Sequence, residues 1–210
     1  MKILIFGASG NVGRPLVKLA LRQHHIVTAF VRSPADFEIA AANLAVFTGN
    51  VTDPSAIDRA MKGQDAVISV LGVSRPRQPD PSVIQGVRDI VQSMQQRGIR
   101  RLIYLSCIGV SASRQDAGPY IRLVHTARYR HELTDHETKE AIVTASSLDW
   151  TIVRAPVMTK AIRSGKEPRS GEGIPAQAMY ARLPRADVAE FLLKQVTDAS
   201  FIRKSPSVLR

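Results

Sequence analysis

The chain has 210 residues, 44% of them hydrophobic, which is enough for one domain with a substantial core but not for a large separate substrate domain. Its formal net charge of +11 favours anionic partners such as phosphorylated cofactors, acidic metabolites or nucleic acid, but the basic residues are scattered, which reads as solvated surface. The single cysteine, Cys107, excludes an internal disulfide, 5% aromatic residues leave little for single-strand stacking, and no apolar run approaches the roughly 20 residues that span a bilayer.

The first element is an apolar strand, Ile3–Phe6, with only Lys2 as a charge before it, so the expectation is a cytoplasmic protein without a leader. The strand enters Gly7-Ala-Ser9-Gly10-Asn11-Val12-Gly13, and Val12, Leu16, Leu19 and Ala20 then recur at helical spacing. Strand, glycine turn and helix in that order are the context of a dinucleotide-binding turn. Gly7 would take the tight turn, Gly10 would let main chain approach a pyrophosphate, and Gly13 would let the helix pack closely on the sheet. The phosphates would face unpaired amides at the helix start. Arg14, a cation in the first helical turn, opposes the helix dipole and is a candidate for an anion.

Further strands are expected at Ile26–Val31, Leu44–Phe47, Ala66–Val70, Leu102–Leu105 and Trp150–Val153, with helical patterns between most of them. The class is α/β: a Rossmann-like doubly wound, mainly parallel sheet with helices on both faces. The second strand ends Ala29-Phe-Val-Arg32-Ser33. Arg32 stands where an NAD-selective fold has an acid; its fork suits a 2′-phosphate, Ser33 adds a donor, and NADP(H) is expected over NAD(H).

Asp53-Pro54 and Asp80-Pro81 read as helix starts, and Gly98 as a stop after Ile84–Arg97. A last helix is expected from about Ala186 to Val196, capped near Arg185, followed by an edge strand at Ser207–Leu209. The loop-like stretch Met158–Ala176 is rich in Gly, Pro, Ser and Lys/Arg and follows the sixth strand. It reads as a substrate lid or as an ordinary solvated loop. Residues 1–210 are expected to form one NAD(P)-binding domain with a small lid segment at about 157–180.

The spacing Gly7-x-x-Gly10-x-x-Gly13, with Ala8-Ser9 inside it, resembles the atypical short-chain dehydrogenase/reductase superfamily. Gly63-Gln-Asp-Ala-Val-Ile-Ser-Val-Leu-Gly72, Leu102-Ile-Tyr-Leu-Ser-Cys-Ile-Gly109, Ser147-Leu-Asp-Trp-Thr-Ile-Val-Arg154 and Arg185-Ala-Asp-Val-Ala-Glu-Phe191 extend the likeness over nearly the whole chain. Together they resemble the NAD(P)H-binding branch that holds biliverdin reductase B (flavin reductase) and the NmrA-like proteins. The resemblance implies that Asn50 and Val51 border the adenine, although family members commonly carry Asp where Asn50 stands. It also implies that Val70, Leu71 and Gly72 border the ribose and pyrophosphate, and that Ser106 and Cys107 lie beside the nicotinamide.

The superfamily's usual catalytic pair is Tyr-x-x-x-Lys, and no tyrosine here fits it: Tyr104 is followed by Ile108, Tyr120 by Val124, Tyr129 by Leu133 and Tyr180 by Pro184. That argues against alcohol–ketone chemistry by this route. A flavin, quinone or tetrapyrrole can accept hydride and take its proton from solvent, which agrees with the resemblance. The family's active-site serine falls at or beside Ser106-Cys107, but its histidine falls near Val157, where this chain has none. The remaining candidates for catalysis are Ser106, His136, Lys139 and Tyr120. His136 and Lys139 share a helix face, read as a solvated pair with a cleft-facing pair as the alternative. Cys107 is expected as a packed residue without a base, and the histidines lack metal-ligand spacing, so no metal is expected.

Two functional classes stay open. One is an NADPH-dependent reductase of a small planar, anionic acceptor under the basic 158–176 loop. The other is a non-catalytic NADP(H)-binding redox sensor of the NmrA-like type. Nucleic-acid binding is a distant third, no membrane association is expected, and a monomer is favoured without anything in the sequence deciding it.

Overall fold

The computed structural model describes residues 1–72, 80–115, 130–161, 165, 167–175 and 182–210. In chain order the elements are β1 (Lys2–Phe6), α1 (Gly13–Arg22), β2 (Ile26–Val31), β3 (Leu44–Thr48), α2 (Pro54–Met61), β4 (Ala66–Ser69), α3 (Pro81–Gln96) and β5 (Arg101–Cys107). They continue with α4 (Arg130–Thr144), β6 (Asp149–Ala155), β7 (Val157–Thr159), β8 (Arg169–Gly171), β9 (Arg182–Pro184), α5 (Arg185–Lys194) and β10 (Ser207–Leu209). Short 3-10 turns lie at Pro34–Asp36 and Ser111–Arg114.

Eight strands form one sheet in the order β3-β2-β1-β4-β5-β6-β10-β8. All its ladders are parallel except that of β8 with β10, and β7 pairs with β9 in a separate parallel ribbon. The chain builds outward from β1 to β3, then crosses back to place β4 on the other side of β1. This reversal opens a crevice at the carboxyl ends of β1 and β4, the place where ligands of such sheets bind.

Strand alternation feeds two cores. Ile3 and Ile5 of β1, with Ile103 and Leu105 of β5, face the layer that holds Leu16, Val17 and Ala20 of α1 and Val188 and Leu192 of α5. Leu4 and Phe6, with Leu102 and Tyr104, face the layer of Ile57 and Met61 of α2, Val87 and Ile90 of α3 and Val143 of α4. Ile3 to Phe6 are fully buried, and each such side chain stabilises the fold by about 1.5–3 kcal/mol.

Both Asp-Pro helix starts form: an Asp53 carboxylate oxygen accepts from the Ser55 amide at 3.0 Å, and an Asp80 oxygen from the Val83 amide at 3.4 Å. Gly98, at φ +69°, ends α3, and the Ile99 amide donates to the Met94 carbonyl at 2.9 Å.

Three expectations change. Ser207–Leu209 is not an edge strand; β8 lies outside it, so part of the 158–176 stretch is pinned to the sheet by backbone ladders, and Val157–Thr159 is strand as well. Nor are the basic residues around the start of β5 simply solvated. Arg97 pairs with Asp58, Arg100 pairs with Asp149 at 2.9 Å, and Arg101, largely buried, donates to the carbonyls of Asp149 and Gln195, where it meets the carboxyl end of α5. No helix among the described residues is long and apolar enough to cross a membrane.

Candidate functional site

A cavity of about 610 Å³ runs along the carboxyl edge of the sheet. Six successive stretches contribute to its wall: Gly7 and Ser9–Val12 after β1, Phe30–Arg32 at the end of β2, Asn50–Thr52 after β3, Val70–Gly72 after β4, Leu105–Cys107 at the end of β5, and Ala155, Pro156 and Met158 from the last residue of β6 onward. Helices add Ser82 and Val83 from α3, Glu132 and His136 from α4 and Arg185 from α5.

At the β1–β4 end the wall is mostly main chain. Gly7 sits at φ +78°, and a Cβ there would lie 2.8 Å from the Val70 carbonyl oxygen, so the two strand ends meet across the switch point only because it is glycine. A Cβ on Gly13 would lie 2.1 Å from the Gly7 oxygen, which brings α1 directly against the turn. The Gly10 amide donates to the Gly7 carbonyl at 3.0 Å and the Arg14 amide to the Gly10 carbonyl at 3.0 Å.

The start of α1 differs from those of α2 and α3. Val12 at its N-cap supplies no side-chain bond and no acid lies in its first turn, whereas α2 and α3 are capped by aspartates. An uncapped helix start facing a cavity with no intervening side chain at Gly10 suits a pyrophosphate. Arg32 is exposed at the end of β2, lines the cavity, and makes no hydrogen bond or ion pair with a described residue.

At the β5–β6 end the wall is side chains. The parity that sends Leu102 and Tyr104 toward α4 sends Ser106 the same way, and its Oγ lies 3.5 Å from His136 Nδ1. Both are buried. Burial first, and the charge of Lys139 second, push the His136 imidazole down to about 3, so at neutral pH it is an uncharged ring. Burial pushes the Glu132 carboxyl upward and the Cys107 thiol up to about 12, which leaves no thiolate for nucleophilic chemistry.

Behind this wall α4 carries a buried polar face. Lys139 is fully buried, and its Nζ has no hydrogen-bond partner among the described residues. Burial lowers its pKa, and the charge of Asp135 partly offsets that. Asp135 accepts from the Asp80 amide at 2.9 Å, tying α4 to the start of α3. Glu140 pairs with Arg154 of β6 through two hydrogen bonds at 2.7 and 3.1 Å, both side chains buried. Removing one partner of such a pair costs about 3–5 kcal/mol, so α4 is held firmly where His136 meets Ser106.

Among the residues expected from sequence, the cavity gathers Gly7, Ser9, Gly10, Asn11, Val12, Arg32, Asn50, Val51, Val70, Leu71, Gly72, Ser106, Cys107 and His136. Gly13 packs behind the wall. Ser33 and Arg14 do not line it: the Arg14 side chain turns back, its Nε donating to the Ser9 carbonyl at 2.9 Å. Tyr120 lies outside the described residues. The solvated His136–Lys139 pair is overturned, since both are buried, and the histidine that reaches Ser106 comes from α4 rather than from near Val157. Glu132 and Arg185 were not anticipated; Glu132, His136 and Lys139 fall at i, i+4 and i+7, a stripe that reads as solvated when it is polar.

A family model described as NAD(P)H-binding matches residues 7–199. Photosystem II assembly factor Ycf39 of Synechocystis sp. is 26% identical over 225 aligned residues, covering 100% of this chain and 62% of its own length. The chain thus spans less than two thirds of that relative, and of others such as a Mycolicibacterium neoaurum 3-beta-hydroxysteroid dehydrogenase, of which it covers 34%. A solved structure from Bacillus halodurans, a putative NAD-dependent epimerase/dehydratase, superposes with a TM-score of 0.82 at 26% identity, covering 100% of this chain and 94% of that one. ChuY of Escherichia coli O157:H7, described as an anaerobillin reductase, shares the fold with a TM-score of 0.80 at 21% identity, over 99% and 96% of the two chains.

Proposed function

Because the chain belongs to the NAD(P)H-binding family of Rossmann-fold atypical short-chain dehydrogenase/reductases, we propose that it is an NADPH-dependent oxidoreductase that reduces a small planar acceptor of the flavin, quinone or tetrapyrrole kind. One observation carries this reading: a single cavity joins the uncapped glycine turn to the Ser106–His136 pair. A bound reduced nicotinamide dinucleotide supplies the hydride.

The chain's own residues do the rest. The amides of the Gly7–Gly13 turn hold the pyrophosphate, with no side chain at Gly10 to keep it away. Arg32 pairs with a 2′-phosphate, which supports NADPH over NADH. Ser106 Oγ, accepting from the Nδ1–H tautomer of a neutral His136, donates its own hydrogen to the acceptor atom that gains electron density, and the ring fixes the hydroxyl's direction. The proton that completes the reduction comes from solvent, because a neutral His136 ring is not an imidazolium and its remaining N–H is no acid at neutral pH.

The test is titration of the protein with NADPH, NADP, NADH and NAD, followed by NADPH oxidation with flavin mononucleotide, a quinone and biliverdin. Expected are saturable NADPH binding, turnover with at least one acceptor, and a Ser106→Ala variant that lowers kcat by about tenfold to a hundredfold at unchanged NADPH affinity. No nucleotide binding would end the proposal.

A second reading, an NADP(H)-binding sensor without turnover, is favoured by one observation. Read back from Lys139, the Tyr-x-x-x-Lys spacing gives Asp135 where the tyrosine would be, and that carboxylate is occupied by the Asp80 amide. Tight NADPH binding with no oxidation by any acceptor supports the sensor.

A further inference from the structure

Two arginines line opposite ends of the cavity. Arg32 closes β2. Arg185 follows Pro184, which pairs with Thr159 in the ribbon beyond β6. β2 and β6 are four strand spacings apart in the sheet, roughly 19 Å at about 4.8 Å each. Arg185 is half-buried and, like Arg32, makes no hydrogen bond or ion pair with a described residue. It is also the first residue of α5, whose N-cap, Pro184, supplies no side-chain bond, so among the described residues a cation stands unpaired at the positive end of a helix dipole.

The anionic groups of NADP(H) are its pyrophosphate and its 2′-phosphate, and the nicotinamide end carries no negative charge. The glycine turn and Arg32 account for both groups, leaving the cation at the Ser106–His136 end with nothing on the dinucleotide to meet. The carboxylate that shares this end, Glu132, makes no ion pair with Arg185 among the described residues, and its burial shifts it toward the neutral form. A half-buried guanidinium with no partner among the described residues is a standing cost that an incoming carboxylate or phosphate removes.

We infer that Arg185 is the specificity residue for an acceptor bearing a carboxylate or phosphate, held by its guanidinium while the planar part lies against Ser106. This deepens the proposed function and rests on it for the position of the dinucleotide. It moves anion recognition from the basic 158–176 stretch to a single side chain fixed by α5 and the β7–β9 ribbon.

The experiment uses the NADP-saturated full chain and two matched pairs of probes, flavin mononucleotide against riboflavin and biliverdin against its dimethyl ester, each member differing in acidic groups only. Calorimetric titration should show at least one acid bound about tenfold or more tightly than its neutral partner, a preference that Arg185→Ala removes and Arg185→Lys restores in part. NADPH affinity should stay within about twofold in both variants. Equal binding within both pairs overturns the inference, as does an Arg185→Ala variant that weakens NADPH as much as the acidic probe. The two levels fail separately. Turnover of riboflavin as good as that of flavin mononucleotide, with no acid preference in either pair, leaves the reductase reading and removes the role of Arg185. Arg185-dependent binding of the acids without NADPH oxidation keeps the subsite and removes the reductase.

Discussion

The β1–β4 end of the cavity is built from main chain and the β5–β6 end from side chains. At the first, Gly7, Gly10 and Gly13 let strand, turn and helix touch with no Cβ between them. At the second, Ser106, Glu132, His136 and Arg185 come from β5, α4 and α5, and a buried ion pair and a hydrogen bond behind α4 hold two of them in place. Main chain offers amides at fixed positions and tolerates almost no added volume. Side chains offer hydroxyl, imidazole, carboxylate and guanidinium groups whose protonation depends on burial. A ligand common to many enzymes belongs at the first end, and a ligand peculiar to one belongs at the second.

The sharpest way to break this contrast is to add one carbon to the main-chain wall. In Gly13→Ala the new Cβ would lie 2.1 Å from the Gly7 oxygen and 2.7 Å from Ala8 Cα, both backbone atoms that cannot swing aside. The helix must retreat from the turn. Overpacking of this kind costs about 1–3 kcal/mol or more, so a melting temperature several degrees lower and an NADPH affinity at least about a hundredfold weaker are expected. Thermal unfolding and calorimetry on the same preparation check both. A variant that binds NADPH normally would mean that the turn does not hold the pyrophosphate.

Next in size is Arg32→Ala, which leaves the main-chain wall untouched. Losing a charge-assisted pair to a 2′-phosphate is worth about 1.5–3 kcal/mol, or roughly tenfold to a hundredfold in NADPH affinity. NADH, which lacks that phosphate, should bind the variant and the parent alike. Equal loss for both nucleotides would show that Arg32 supports the fold around β2 rather than choosing the cofactor.

The same contrast explains what could be read from the sequence. The glycine turn occupies seven consecutive residues, and Arg32 stands at a fixed distance along the chain, so both show in local spacing. So do the Asp53 and Asp80 caps and the six parallel strands, of which β1, β4, β5 and β6 are buried on both faces while β3, at the sheet edge, is partly exposed. The other end hides for physical reasons. Ser106 and His136 are 30 residues apart and meet only because β5 parity and the docking of α4 agree. The buried face of α4 is Leu133, Asp135, His136, Lys139, Glu140 and Val143, four ionisable groups among six, so hydrophobic periodicity gives no sign that it is a face at all. Glu132 and Arg185 belong to no motif of ligand chemistry. β8 is three residues long, Arg-Ser-Gly, and exists because β10 offers a free edge; no local propensity announces it.

The smallest expected effect tests whether the side-chain wall is as buried as its geometry requires, through pH rather than affinity. His136 is held near 3 in the folded chain against 6.5 when free, by burial and then by Lys139. Below about pH 6.5 the unfolded chain takes up a proton that the folded chain refuses until pH falls near 3. Stability contributed by the neutral ring is therefore full above 6.5 and is lost on acidification through that window. His136→Gln keeps a polar side chain without the titration, so its unfolding free energy should depend less steeply on pH there, by about 1.4 kcal/mol per pH unit at most. Asp58 and Asp149, lowered by Arg97 and Arg100, lose stability on acidification in both proteins and cancel in the difference. Lys139, lowered by its own burial, works in the same sense, since the folded chain releases its proton first and its contribution rises with pH toward 10.5, and it is present in both proteins. Denaturant unfolding at a series of pH values between 3 and 7 reads the difference directly. Parallel curves for the two proteins would mean that His136 titrates in contact with water, and the hydrogen bond to Ser106 would then lose the neutral ring on which its direction depends.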